Sequence, residues 1–272
     1  MPELPEVETI RRTLQIPLVN KTIEGIEVLY EPIIEDDPSL FVDTLTNQKI
    51  IDIDRVGKYL IFVLENGAFI SHLRMEGKYY IVPKDEPYTK HCHVIFHLDN
   101  DVDLRYYDTR KFGRMKLVGK ESYRYELPLS KLGKEPFDID PKDLYMRLKK
   151  ISRPIKEVLL DQTIILGIGN IYANEICFRM KIHPLAPANH LTLKRTKELV
   201  NISIEVLNEA IAQGGTTIHT FSANGIDGLF QVHLNVHGRK GKPCPICQSP
   251  IEKIQVGGRG TYYCKKCQRK KT

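Results

Sequence analysis

No apolar run in the 272 residues approaches the roughly 20 residues that an α-helix needs to cross a bilayer. The opening MPELPEVETI is acidic and punctuated by proline. It lacks the basic and apolar regions of a secretory signal, so a cytosolic protein is expected. There is no internal repeat and no low-complexity tract. Acidic residues are nearly missing from one region only. Residues 238–272 hold ten Lys/Arg and a single acid, Glu252, for a net charge of +9. The other residues hold 30 Lys/Arg and 33 Asp/Glu, so the body of the chain is −3. A basic module on a nearly neutral body suits a polyanion, nucleic acid first among them. A solvated basic tail has the same composition, and composition alone does not choose between them.

Apolar residues make up 42% of the chain, enough to build cores and too many for global disorder. The length allows one large domain or two ordinary ones. From Pro5 to Leu14 the apolar residues Val7, Ile10 and Leu14 fall on one helical face, and Pro5 suits a first turn. Residues 2–4 thus lie just ahead of a helix N-terminus, whose partial positive charge favours anions. Residues 22–118 read mostly as strand. Segments 59–64 and 68–73 flank Glu65-Asn66-Gly67, and segments 94–98 and 102–106 flank Asp99-Asn100-Asp101, giving two expected hairpins. Residues 121–140, with Pro128, Gly133 and Pro136, lack periodicity and read as a linker. Beyond them the period turns helical. Helices are expected around Leu144 and Leu148, around Ile155 to Leu159, over residues 170–178, and from Leu199 through Ala210 to a stop at Gly214-Gly215.

The six cysteines divide into two groups. Cys92 and Cys177 are isolated and read as buried apolar thiols. Cys244-x2-Cys247 and Cys264-x2-Cys267, sixteen residues apart, have the spacing of a four-cysteine zinc site. Each Cys-x-x-Cys turn presents two thiolates, and two such turns complete a tetrahedron. Pro243, Pro245 and Gly257-Gly258 fit a short hairpin ribbon around it. A redox dithiol would need one pair, not two matched pairs in a basic hairpin. With all four positions taken by protein, the expected cofactor is one structural Zn2+. The ribbon would present Arg259 and lysines to phosphates.

The opening Pro2-Glu3-Leu4-Pro5-Glu6-Val7-Glu8, read together with this ribbon, resembles the formamidopyrimidine-DNA glycosylase family. The likeness continues in order through Arg55-Val56-Gly57-Lys58-Tyr59, Ser71-His72-Leu73-Arg74-Met75-Glu76-Gly77, Arg110-Lys111-Phe112-Gly113 and Leu160-Asp161-Gln162. Further along it includes Gly167-Ile168-Gly169-Asn170-Ile171-Tyr172, Gly214-Gly215-Thr216-Thr217 and Gly258-Arg259-Gly260-Thr261. The resemblance implies an α+β, multidomain fold: an N-terminal β-sandwich with flanking helices, a helix-two-turn-helix lobe, and a zinc ribbon. On this chain the sandwich lobe is expected over residues 1–120, the linker over 121–140, the helical lobe over 141–237 and the ribbon over 238–272.

It also implies a bifunctional glycosylase and AP lyase of a bacterial cell, acting as a monomer on double-stranded DNA with oxidised purines. Pro2, exposed by removal of Met1, would be the nucleophile, since a free α-amine titrates near pH ~8 and keeps a neutral fraction at working pH. Glu3 would shuttle protons at the opening sugar, and Glu6 would fix the N-terminus. Lys58 would touch a phosphate and assist elimination, and Arg259 with Asn170 would grip the phosphates flanking the lesion. His72, His91, Arg153 and Lys156 are further candidates for the DNA backbone. Met75, Arg110 and Phe112 would fill the void left by a flipped base. Arg110, donor-only, suits the acceptors of an orphaned cytosine. The loop 216–228 would be a lid, with Thr216, Thr217, Ile218, His219, Thr220 and Phe221 around the lesion.

Three positions depart from the family pattern. His219 stands where arginine is frequent, Leu166 where a small residue is common, and His237 where tyrosine is usual. The sister family, endonuclease VIII, shares nucleophile and fold but usually has glycine in place of Leu4. Leu4, Met75 and the Arg110/Phe112 pair favour the purine enzyme. A non-catalytic DNA-binding protein would not need Pro2, Glu3 and Lys58 together.

Overall fold

The computed structural model describes residues 2–215 and 234–269. They divide into two compact units, residues 2–130 with 214 and 215, and residues 131–213 with 234–269. The lid positions Thr216, Thr217, Ile218, His219, Thr220 and Phe221 lie outside the described residues, as does Met1.

The first unit opens with α1, Leu4–Leu18, whose Leu4, Val7, Ile10, Leu14 and Leu18 are all buried. The helix runs one turn beyond the expected Leu14. Pro17 falls in its last turn, where the missing N–H removes one helical bond, to the Thr13 carbonyl, and Leu18 extends the buried stripe. Two four-stranded antiparallel sheets follow. One has the order β1-β6-β7-β5, from Ile23–Val28, Cys92–Leu98, Val102–Tyr107 and Lys78–Pro83. The other has the order β2-β3-β4-β8, from Ile50–Val56, Tyr59–Leu64, Ala68–His72 and Arg114–Val118. They face one another across an aromatic core. Phe69 of β4 stacks on Phe62 at 4.5 Å and on Phe96 of β6 at 5.4 Å, and Phe41 meets its edge. Both expected hairpins are present, β3–β4 and β6–β7. Phe41 comes from a helix the strand reading did not anticipate: α2, Pro38–Leu45, started by Pro38 and capped by the Asp37 carboxylate on the Leu40 N–H at 3.0 Å.

The second unit is helical and carries a ribbon. Its helices are α3 (Pro141–Leu148), α4 (Ile155–Leu160), α5 (Asn170–Arg179) and α6 (Leu193–Ala212). Among the described residues none is long and apolar enough to cross a membrane. The ribbon pairs β9 (Glu252–Val256) with β10 (Arg259–Tyr263). Its two-residue turn places Gly257 at φ 54° and Gly258 at φ 72°. A turn with two positive φ values matches strand twist and disfavours any residue with a β-carbon, so the Gly-Gly pair sets where the hairpin folds. Buried Phe178 of α5 joins Val236, Ile251 and the ribbon cysteines in one small core.

Candidate active site and nucleic-acid interface

In the first unit, Glu3 occupies the N-cap of α1 with extended backbone, and Glu6 stands at N3 in a capping box. The Glu6 carboxylate accepts the Glu3 N–H at 2.8 Å. Pro2, Glu3 and Glu6 are all buried. A β-carbon on Gly215, whose φ is +77°, would sit 3.0 Å from Glu6 Oε1. Glu6 therefore occupies the space between the backbone at Glu3 and the backbone just ahead of residues 216–221.

Lys58 is carried by the tight turn between β2 and β3, where Gly57 takes φ 58°. Its side chain is 6% exposed. The next residue, Tyr59, pairs across strands with His72, and their rings meet edge-on at 4.5 Å. Burial, then the charges of Arg74 and Lys58, push the His72 imidazole down to about 3, so it is neutral at physiological pH. Its Nδ1 accepts the Arg74 N–H at 3.0 Å, which leaves the proton on Nε2. His72 is thus an uncharged donor beside a lysine. That pair suits one phosphate oxygen without the repulsion of two cations.

Met75, Arg110 and Phe112 come from two loops, β4–β5 and β7–β8. Arg110 and Phe112 are exposed, and the Arg110 guanidinium lies over the Phe112 ring at 4.7 Å. Lys111 between them takes φ 58°, and its ammonium turns back onto the Tyr30 ring at 4.4 Å. His91 is half-buried and reaches the same loop through its carbonyl, which accepts the Asp108 N–H at 3.1 Å.

In the second unit, Asn170 is the first residue of α5, and its Nδ2 donates to the Gly260 carbonyl at 3.1 Å. Lys156 is fully buried. Its ammonium donates to Thr261 Oγ1 at 2.5 Å, Asn170 Oδ1 at 2.8 Å and the Gly260 carbonyl at 3.3 Å. Lys156 therefore ties α4 and α5 to β10 rather than reaching solvent. Arg259 is exposed one residue before Gly260. Arg153 is exposed as well, and its guanidinium pairs with Asp161 at 2.8 Å. His237 finds a place as a neutral ring. Burial, then Lys156 and Lys253, push it down to about 4, and its Nδ1 accepts from Asn174 Nδ2 at 2.7 Å. Leu166 is buried.

The sulfurs of Cys244, Cys247, Cys264 and Cys267 all lie within 4.8 Å of one another. Two knuckles offering four thiolates and no other ligand type match tetrahedral zinc. Gln268 braces them, accepting the Cys264 N–H at 2.8 Å and donating to the Ile182 carbonyl at 2.9 Å.

Three family models divide the chain among them. Residues 1–115 match the formamidopyrimidine-DNA glycosylase N-terminal domain, 132–222 its H2TH domain, and 241–269 the zinc finger found in FPG and IleRS. The chain belongs to the formamidopyrimidine-DNA glycosylase family. A formamidopyrimidine-DNA glycosylase of Bacillus licheniformis is 48% identical over 99% of this chain and 100% of its own length. One of Bacillus cereus is 46% identical over 98% and 99%. Among solved structures, a Lactococcus lactis FPG mutant bound to DNA containing Fapy-dG superposes with a TM-score of 0.94 at 40% identity, covering 99% of this chain and all of the other. The Lactococcus lactis Fpg bound to abasic-site DNA gives 0.94 at 40% identity over 98% of this chain and all of the other. The family fold anticipated from the motifs is the fold observed, and the four clustered cysteines fit the structural zinc of its finger.

Sequence reading missed the residues that hold the site from behind. Glu8, Asp108, Thr261 and Gln268 carry no motif of their own. Glu8 and Thr261 did fall inside quoted segments, the only signal that could have drawn attention to them.

Proposed function

We propose that this glycosylase removes oxidised purines from duplex DNA with Pro2 as nucleophile and then cleaves the strand by elimination. With Met1 removed, the Pro2 nitrogen is a secondary amine. It attacks the sugar C1′, the C1′–N9 bond breaks, and the base leaves with a proton. The ring opens to an iminium, which acidifies the C2′ proton. Loss of that proton expels the 3′ phosphate, and a second elimination expels the 5′ phosphate. Glu3 moves the proton at the ring oxygen. Lys58 and neutral His72 hold a phosphate next to the sugar, while Arg259 and Asn170 hold the flanking phosphates. Met75, Arg110 and Phe112 occupy the void, and Thr216 to Phe221 recognise the lesion. The partner is duplex DNA, bound by a single copy of the chain.

The observation that carries this reading is the buried Pro2-Glu3 pair, its backbone fixed by the Glu6 carboxylate at 2.8 Å from the Glu3 N–H. A nucleophile held this way loses little orientational freedom on attack. The test is borohydride trapping on duplex containing 8-oxoguanine opposite cytosine. A covalent adduct mapped to residue 2 is expected. An adduct formed only with an oxidised pyrimidine would assign the chain the sister specificity. Binding without an adduct on any lesion, with Met1 shown to be absent, would overturn the chemistry.

A further inference from the structure

We infer that Asp108 is a positioning residue for partner-base discrimination: its buried carboxylate sets the backbone that presents Arg110 and Phe112, and through it the two void-filling loops form one rigid wedge. The inference rests on the reading of Arg110 and Phe112 as the void-filling pair.

Asp108 is 1% exposed and lies just past the end of β7. Its Oδ1 accepts the Arg110 N–H at 2.9 Å. Its Oδ2 accepts the N–H groups of Phe112 at 2.9 Å and of Gly113 at 2.8 Å. The Asp108 backbone is itself fixed. Its carbonyl meets His93 Nε2 at 2.7 Å, and its N–H donates to the His91 carbonyl at 3.1 Å. One anion therefore gathers three amides from six consecutive residues. The loop bends tightly enough that Lys111 adopts φ 58°. A residue other than glycine at positive φ carries a conformational cost that its surroundings must offset. Three charge-assisted hydrogen bonds exceed that cost.

The second loop is fastened to the first. The Thr109 hydroxyl donates to the Glu76 carboxylate, next to Met75. Both loops close on the buried Tyr106 hydroxyl: a β-carbon on Gly113 would lie 1.6 Å from its oxygen and one on Gly77 2.4 Å. Tyr106 packs on Tyr79 at 5.2 Å, and Tyr79 donates to Ser71 at 2.8 Å, so the platform beneath the wedge is sandwich core. Arg110 reads a partner base only if its guanidinium arrives at a fixed height and angle. An amide backbone pinned at Arg110 before Lys111 and at Phe112 and Gly113 after it supplies this. The same wedge without the anion would reach the void but not select what lies opposite.

The experiment compares Asp108→Asn, Asp108→Ala and Thr109→Val with Arg110→Ala, using wild-type protein as reference. Each is assayed under single turnover for 8-oxoguanine excision opposite cytosine and opposite adenine. Thermal melting reports folding. Asparagine keeps one acceptor oxygen and places an NH2 against the remaining amide hydrogens. Asp108→Asn is expected to shrink the cytosine-over-adenine rate ratio by roughly tenfold, in the direction of Arg110→Ala, with a lowered but still cooperative melting transition. Thr109→Val, at an exposed position, is expected to shrink it by about twofold, and this keeps the test alive if the Asp108 variants do not fold. Equal loss of rate opposite both bases would make Asp108 a fold residue only and overturn the inference. An unchanged ratio in Arg110→Ala would overturn the wedge reading itself. A changed ratio there, with Asp108→Asn and Thr109→Val both like wild type, would overturn only the positioning role.

Discussion

The Glu8 carboxylate on α1 accepts from Arg55 Nε at 2.9 Å, and the same guanidinium donates from Nη1 to the Gly57 carbonyl at 3.1 Å, one residue before Lys58. The helix that begins at the candidate nucleophile is thereby tied to the turn that carries the candidate lysine. Arg11 and Arg12 complete the cage, at 2.9 Å and 2.7 Å.

This cage makes a prediction about acid. Burial raises the Glu8 pKa, but hydrogen bonds from Arg11, Arg55 and Arg12 more than offset it and hold the carboxyl at about 2, against 4.5 in an unfolded chain. The folded value is the lower one, so the contribution to stability is present above pH 4.5 and is lost as pH falls toward 2. Glu8→Gln is expected to cost about 2 kcal/mol at pH 7 and to flatten the acid limb. Urea midpoints of both proteins between neutral pH and pH 3 test this. Curves that stay parallel down to pH 3 would remove Glu8 as a source of the acid sensitivity.

Lys156 offers a sharper separation of positioning from contact. It is fully buried among Thr261, Asn170 and the Gly260 carbonyl. Lys156→Met leaves those acceptors without their charged donor and is expected to cost about 2–3 kcal/mol of stability. DNA affinity falls because Asn170 and the Arg259 hairpin lose their alignment. The dependence of log affinity on log salt keeps its wild-type slope, since a buried lysine meets no phosphate. Arg259→Ala, by contrast, lowers that slope by about one. Titrations at several salt concentrations give both slopes, and a Lys156→Met slope reduced like that of Arg259→Ala would place Lys156 on the DNA.

Removal of zinc should act on the ribbon first. Among the described residues the ribbon core is Val236, Ile251, Tyr262 and the cysteines against Phe178, too small to order a hairpin without metal. Cys264→Ala, or a strong chelator, is expected to take zinc content from one per chain to near zero. It should also abolish amide protection in β9 and β10, while the first unit keeps its protection. Retained protection across the ribbon in metal-free protein would show that packing alone suffices.

Much of this was open to reading because it is local. The Asn66-Gly67 and Gly257-Gly258 turns, the period of α6 and the two Cys-x-x-Cys knuckles each depend on residues a few positions apart. The helix α2 was legible too: Asp37-Pro38 is an N-cap followed by a first-turn proline, hidden by the strand character around it. Lys156 was legible only as a basic residue in a helical stretch. A fully buried lysine and an exposed one have the same letter, and its three acceptors come from positions 170, 260 and 261.

What the amino-acid order determined by itself is the family and its inventory: the Pro2-Glu3 start, the lysine after Gly57, the four thiolates, the strand-rich first part and the helical second. What only the tertiary structure decided is which charges are held and by what. Glu8 meets Arg55 across 47 positions, and His72 is kept neutral by burial beside Arg74 and Lys58. Asp108 collects three amides because the chain turns back on it. The physical reason is that protonation state and hydrogen-bond pairing depend on distance and desolvation, and neither is a property of residues near in sequence.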